Sequence, residues 1–260
     1  MSPRLPAFAV EHGRTFDHPD VAGLYHLRRT YPVETYEILR GLIAGEPRVV
    51  LDAGAGTGEV ARAMAPHVER VDALDPSLAM IEAGKRLAGG ADWRIRWILG
   101  TAEEAPLDGP YSLIVCGQSL HWMDWEVVYP RFRVLLQPDA ILAIVDVRDA
   151  PEWADKLRAI IGRYSANQHQ HARLAIGDLL EEEKRGLFRR AGERRTAAIL
   201  VRQPVDEYIA SHHAMSGLAT HRIGAERAAA FDSEVRDLLR PYGDTIEFEV
   251  TGQVIWGRPA

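Results

Sequence analysis

Up to about residue 149 the apolar positions switch repeatedly between short unbroken runs and a 3.6-residue spacing. Residues 33–43 carry the helical spacing, 49–52 an apolar run, and 59–65 the helical spacing again. A run at 68–74 leads into helical 78–87, and further runs occupy 93–99 and 113–116. Helical 125–135 stops at Leu136-Gln137-Pro138-Asp139, and a fifth run, 140–145, ends at Asp146. Strands alternating with helices in this way predict an α/β, doubly wound sheet rather than a bundle.

After Asp149-Ala150-Pro151 the rhythm changes. Residues 152–164 and 176–188 look helical, 195–201 alternate like a strand, and 205–213 and 225–239 are helical again. A long alternating stretch, 246–256, reads as the last strand. Ahead of the first helix lies an irregular lead rich in aromatic and histidine residues.

The most informative turn is Asp52-Ala53-Gly54-Ala55-Gly56-Thr57-Gly58, between the first strand and its helix. Glycines at alternate positions mark a loop where backbone comes close to a ligand. The second run ends in Asp75-Pro76-Ser77, which puts a carboxylate at a strand tip, where it can accept hydrogen bonds from a ribose diol. The spacing G-x-G-x-G differs from the dinucleotide fingerprint G-x-G-x-x-G. Asp52, just ahead of the glycines, would repel a pyrophosphate but favour a cationic amino-acid portion of a ligand.

VVLDAGAGTGEVA followed by VDALDPS resembles the cofactor-binding half of the class I S-adenosylmethionine-dependent methyltransferases, small-molecule type. The likeness runs from about Tyr36 to Val147. It implies a Rossmann-like, seven-stranded, mostly parallel sheet with a helical cap inserted between strands 5 and 6 and an antiparallel final strand. It also implies that Gly54, Gly56 and Gly58 line the methionyl and ribose part, with Asp52 near the ammonium and Asp75 on the ribose hydroxyls. Pro76, Ser77 and Met80 would lie beside the adenine. Thr101, Ala102 and Glu103, in ILGTAEEAPL, match the adenine-side segment, and Gln118 follows strand four beside the cofactor. The implied division is a lid segment (1–35), a cofactor-binding core (36–150), a cap or substrate region (151–194 and 203–242) and two closing strands (195–202 and 243–260). Tyr25 or Arg29 of the lid is expected over the cofactor, unless this segment only covers the sheet edge.

Composition narrows the partners. The 260 residues include 31 basic and 37 acidic ones, a formal net charge of -6, with no Lys/Arg block long enough to track phosphates, so a nucleic-acid substrate is disfavoured. The single cysteine, Cys116, reads as a buried apolar residue, which leaves no disulfide framework and no Cys-rich zinc pattern. No segment has the length and apolarity of a membrane span, and no signal-like stretch opens the sequence, so a cytoplasmic location is the expectation. A homodimer is expected on frequency alone.

Several side chains are candidates for chemistry on a small-molecule acceptor. His121, in the loop after strand four, is the candidate general base for a hydroxyl acceptor of a metabolite or natural product. The alternative is a histidine hydrogen-bonded to backbone. Trp122 and Trp125 would form a flat apolar wall, or simply pack the core. His212 and His213 are candidates to line the acceptor pocket. His169-Gln170-His171 lacks a carboxylate or thiolate at motif spacing, so it reads as solvated and no metal is expected. The runner-up classes are N- or C-methylation, a noncatalytic cofactor binder, and a nicotinamide-dependent oxidoreductase.

Overall fold

Five apolar runs build the parallel part of the sheet. In the computed structural model, which describes residues 14–166 and 182–260, they are β1 (Val49–Ala53), β2 (Arg70–Asp75), β3 (Ile95–Leu99), β4 (Leu113–Gly117) and β5 (Leu142–Asp149). Their spatial order is β3-β2-β1-β4-β5, all neighbours parallel. Strand order reverses between β1 and β4, which opens a crevice at their carboxyl ends.

The runs are unbroken because both faces are covered. Val50, Leu113, Val115, Ala143 and Val145 point into one core, while Leu51, Ile114, Cys116, Leu142 and Ile144 point into the other. A period of two thus puts alternate apolar residues on opposite faces. The first core is roofed by α2 (Val33–Gly41) and α3 (Glu59–Met64), which follow a short N-terminal helix α1 (Pro19–Leu24). After α4 (Leu78–Arg86), helix α5 (Trp125–Leu135) covers the second core with Val128, Tyr129 and Phe132.

Helical insertions follow. α6 (Ala154–Tyr164) comes after β5, and then β6 (Phe188–Arg195) and β7 (Ile199–Pro204) run end to end along one edge of β8 (Thr245–Pro259). Between β7 and β8 lie α7 (Val205–His212), α8 (Thr220–Ile223) and α9 (Ala225–Leu239). β8 is antiparallel to β5, as expected for the final strand. The expected sixth strand, 195–201, is therefore two strands, which raises the sheet to eight. Residues 188–194, expected within the cap, form β6, and only the helix expected before them, 176–188, falls largely outside the described residues. The sequence FRRAGERR conceals a strand because β6 is an edge strand, exposed on nearly every side chain after the buried Phe188.

The insertions do not stand off from the sheet. Trp153, Leu157 and Ile160 beside α6, Tyr208 and Ile209 of α7, and Phe231 and Val235 of α9 share one core with Phe248 and Val250 of β8. Among the described residues no helix is long and apolar enough to cross a membrane, and no cluster of His, Cys, Asp or Glu could hold a metal. His169 and His171 lie outside the described residues.

Candidate functional site

The glycine loop is shaped by packing as much as by any ligand. Gly54 and Gly58 both adopt left-handed backbone, with φ of 75° and 73°. A Cβ at Gly54 would overlap that of Ser119 and stand 3.0 Å from its Oγ; one at Gly58 would overlap the Trp97 ring, 3.1 Å from Cζ3. Gly54 therefore lets β1 meet the loop after β4 at the crevice, and Gly58 seats α3 on β3. A side chain at Gly58 would meet Trp97, and Gly58 is not among the residues that line the cavity described below.

Two strand-end carboxylates hold this loop. Asp52, fully buried in β1, accepts a hydrogen bond at Oδ2 from the Ala61 N–H (3.0 Å), a donor of the first turn of α3 left without an intrahelical partner. Asp75 accepts from Gly56 N–H at Oδ2 (2.7 Å) and from Ser77 N–H at Oδ1 (2.9 Å), clamping the loop to the start of α4. Burial raises Asp52 to a pKa of about 7 against the pull of the Ala61 N–H, and raises Asp75 to about 6 against its two backbone donors. Glu59, the first residue of α3, is also raised by burial and accepts from Tyr31 N–H and Tyr36 Oη–H, both at 2.7 Å.

The N-terminal segment closes over these groups. It is tied down by Ser77 Oγ–H to the Phe16 carbonyl (2.8 Å), by Gln203 Nε2–H to the Leu27 carbonyl (2.9 Å), by the Arg29–Asp149 ion pair, and by Tyr31 on Glu59. Beneath it lies a cavity of about 250 Å³, with Tyr25, Arg28 and Tyr31 above and Asp52, Gly54, Glu59 and Gln118 below. Gln118 has a left-handed φ of 51°, unusual for a residue with a side chain, and its Nε2 donates to Asp146 Oδ1 (3.0 Å). With Nε2 so engaged, its carbonyl oxygen is left for the cavity. Tyr25 lies above Gly56, its ring 3.8 Å from where a Cβ would be.

The adenine-side residues divide. Ser77 caps α4 through Met80 N–H (3.1 Å), and Pro76 is exposed beside it. Met80, against expectation, is 2 % exposed and belongs to the interior. Thr101 is exposed and Ala102 buried. Glu103 accepts from the Asp124 N–H (2.8 Å), so its carboxylate fastens the entrance of α5.

His121 sits in a single turn after β4, beside the cavity rather than in its wall. Its Nδ1 is buried with no hydrogen-bond partner, and burial holds its pKa down at about 4, so the ring is neutral at pH 7. Asp146 and Arg28 are close enough to act on it electrostatically. Trp122 packs edge-on against Phe16 (5.9 Å between centroids), which in turn meets Tyr25 (6.3 Å), an aromatic seam joining the lid to the loop after β4.

Three expected acceptor residues lie elsewhere. Trp125 is a core residue whose Nε1–H donates to the Leu120 carbonyl (3.1 Å). His212 is buried between Tyr208 and Phe231, its Nδ1 2.8 Å from the Tyr208 carbonyl. Both nitrogens of His213 are occupied, by the Leu218 carbonyl (2.8 Å) and Asp232 Oδ1 (2.7 Å), so it braces α7 against α9. Conversely, Glu59 and Phe16 were not singled out from sequence, and Asp146 was read only as the end of the fifth run. For Glu59 a signal existed, as an acid opening the helix directly after the glycine loop.

A doubly wound sheet with a glycine loop after β1, an acid ending β2 and a cavity at the strand-order reversal is a Rossmann-like α/β architecture. Residues 50–139 match the methyltransferase domain family. It is 30% identical over 150 residues to an uncharacterized methyltransferase-like protein of Schizosaccharomyces pombe, covering 56% of this chain and 57% of that one. An uncharacterized methyltransferase of Mycobacterium tuberculosis is 33% identical over 139 residues, covering 52% and 54%. The chain thus spans a little over half the length of these curated relatives. In fold it resembles a putative type II methyltransferase from Anaeromyxobacter dehalogenans, with a TM-score of 0.62, 23% identity, and coverage of 89% of this chain and 97% of that one.

Proposed function

We propose that this chain binds S-adenosylmethionine in the cavity between the N-terminal segment and the glycine loop, and transfers its methyl group to a hydroxyl oxygen of a small molecule. The observation that carries the reading is a charge arrangement. Asp52, Glu59 and Asp75 converge at the carboxyl ends of the strands with raised pKa values, a state relieved by a cationic, hydroxyl-bearing ligand. Asp75 is the acceptor for the ribose diol. Asp52, with Gln118 Oε1, faces the aminoacyl end.

The bound cofactor supplies an already activated methyl on a sulfonium, so the protein contributes alignment above all. Tyr25 and Tyr31 exclude water from above. The Phe16–Tyr25–Trp122 seam orders the lid against the loop carrying His121. Oxygen is the proposed acceptor because His121, in the loop after β4, has a neutral ring whose Nδ1 is buried with no hydrogen-bond partner, and in the tautomer protonated at Nε2 that nitrogen takes the hydroxyl proton. A carbon or amine acceptor bearing no removable proton would leave that nitrogen without a role.

The test is a panel of hydroxylated, amine and carbon-acid metabolites incubated with S-adenosylmethionine, following S-adenosylhomocysteine release. Turnover on hydroxyl compounds, sharply lowered in His121→Ala with S-adenosylhomocysteine affinity intact, is expected. Turnover confined to amines or carbon acids, or a His121→Ala rate equal to wild type, would reject the oxygen reading.

A further inference from the structure

On the face of the sheet that packs against α5, the buried apolar pattern of β8 is broken by one amide. Ile255 of β8 lies opposite Ile144 of β5 in the second core, and further toward the carboxyl end of β5 Gln253 lies opposite Asp146. Alternate residues of a strand share a face, and directly opposite residues share it across strands, so Gln253 and Asp146 stand side by side there. Gly252 follows the same alternation, because a Cβ on it would meet Thr35 of α2 on the opposite face.

Gln253 is 5 % exposed, yet among the described residues its amide makes no hydrogen bond. Asp146 beside it accepts from Gln118 Nε2–H (3.0 Å), Val147 N–H (2.9 Å) and Arg148 Nε–H (3.3 Å). The Nδ1 of His121 is likewise buried without a partner, in the turn after β4 whose Leu120 and Met123 join the second core, and Asp146 acts electrostatically on that ring. Two buried polar groups that have given up water for no protein partner thus flank one carboxylate, an arrangement that a polar ligand completes.

Strand order sets its reach. β4, β5 and β8 are consecutive, so Gln253 lies two strand spacings, about 10 Å, beyond β4 on the side away from β1. A compact acceptor whose hydroxyl meets His121 therefore extends a second polar group over β8. Arg195 of β6 lies opposite Gln253 and makes no ion pair among the described residues, whereas Arg148 already pairs with Asp146, and Glu193 with Arg190. Amide and guanidinium N–H groups side by side both donate to one carboxylate.

We infer that Gln253, with Arg195, takes a carboxylate of the acceptor, which makes the substrate class a hydroxy acid and Gln253 its specificity-determining residue. This rests on the methyltransferase reading and deepens it by naming the acceptor's second functional group.

The test uses benzoate and benzyl alcohol, probes of similar size with and without the carboxylate. Each is titrated into the S-adenosylhomocysteine-loaded chain, isotope-labelled on its glutamine side chains, and followed by nuclear magnetic resonance. The Gln253 amide signal is the one absent from Gln253→Met. Benzoate should shift that signal and bind about tenfold more tightly than benzyl alcohol. In Gln253→Met, folded by circular dichroism and followed through the backbone signals of β8, the preference should largely disappear while S-adenosylhomocysteine affinity is unchanged. If that variant does not fold, the two wild-type titrations decide alone.

No shift of the Gln253 amide with benzoate, or equal responses to the two probes, would overturn the inference. So would a folded Gln253→Met chain that keeps the preference for benzoate, since the amide would then only fill space beside Asp146. The titrations are repeated without S-adenosylhomocysteine. Benzoate bound at Gln253 in a chain that takes no S-adenosylhomocysteine would remove the cofactor reading and leave the carboxylate site standing.

Discussion

Replacing Asp75 by asparagine separates the structural and ligand roles of the carboxylate. In the ligand-free chain Asp75 is buried, and its pKa stands at about 6 against an ordinary 3.8. At pH 7 the ionised form is therefore disfavoured by folding, and a displacement of roughly two units corresponds to about 3 kcal/mol. Asparagine removes that cost. It keeps one carbonyl oxygen for either the Gly56 or the Ser77 N–H, while its amide group faces the other donor, a loss of about 1–3 kcal/mol for one unmet N–H. These terms nearly cancel, so Asp75→Asn should unfold within about 2 kcal/mol of wild type, on either side. Binding is different, because the ribose diol loses a charged acceptor worth about 1.5–3 kcal/mol, a tenfold or greater loss of S-adenosylhomocysteine affinity. Thermal unfolding and isothermal titration on the same preparation read both quantities. A variant that melts far below wild type yet binds S-adenosylhomocysteine as tightly would make Asp75 a loop clamp alone and refute the reasoning.

Further outcomes follow from the same geometry. Affinity for S-adenosylhomocysteine should rise with pH between about 5 and 8 and then level. Asp75 near 6 and Asp52 near 7 are partly protonated in the free chain, and the bound ligand favours their ionised forms, so binding releases protons; a flat titration series over that range would count against both carboxylates as ligand contacts. Gly58→Ala should lose about 1–3 kcal/mol in urea unfolding, from left-handed backbone and overlap with Trp97, and an unchanged midpoint would contradict that packing. His213→Ala should lose about 1–3 kcal/mol by freeing the Leu218 carbonyl and Asp232, with ligand affinity unaltered. Weakened binding in a stably folded His213→Ala chain would return that residue to the site.

The parallel core was legible because Val49 to Ala53 and Leu113 to Cys116 are covered on both faces, so burial writes itself into the sequence as unbroken apolar runs. The strand ends, with Asp52 and Asp75, were legible for the same reason. β6 was not, because an edge strand with exposed side chains has no apolar period, and FRRAGERR carries only Phe188 as a buried anchor. β5 runs on to Asp149, past the expected stop, because Asp146 is buried and satisfied by Gln118 and its own neighbour's N–H. Side-chain roles were legible only where position decides them. Adjacent arginines look alike in sequence, and only the Asp149 contact tells Arg29 from Arg28. His213 resembled a pocket histidine until Asp232, nineteen residues on, closed its second nitrogen. Trp125 resembled a substrate wall, although its place at the start of α5 turns it into the second core.

The central claim is that the crevice at the carboxyl ends of β1, β2 and β4 holds S-adenosylmethionine. Isothermal titration of the chain with S-adenosylhomocysteine, with a nicotinamide dinucleotide in parallel, tests it most directly. Saturable binding of S-adenosylhomocysteine alone, weakened in Asp75→Asn, is the predicted result. Binding of the dinucleotide, or of neither ligand, would contradict the account.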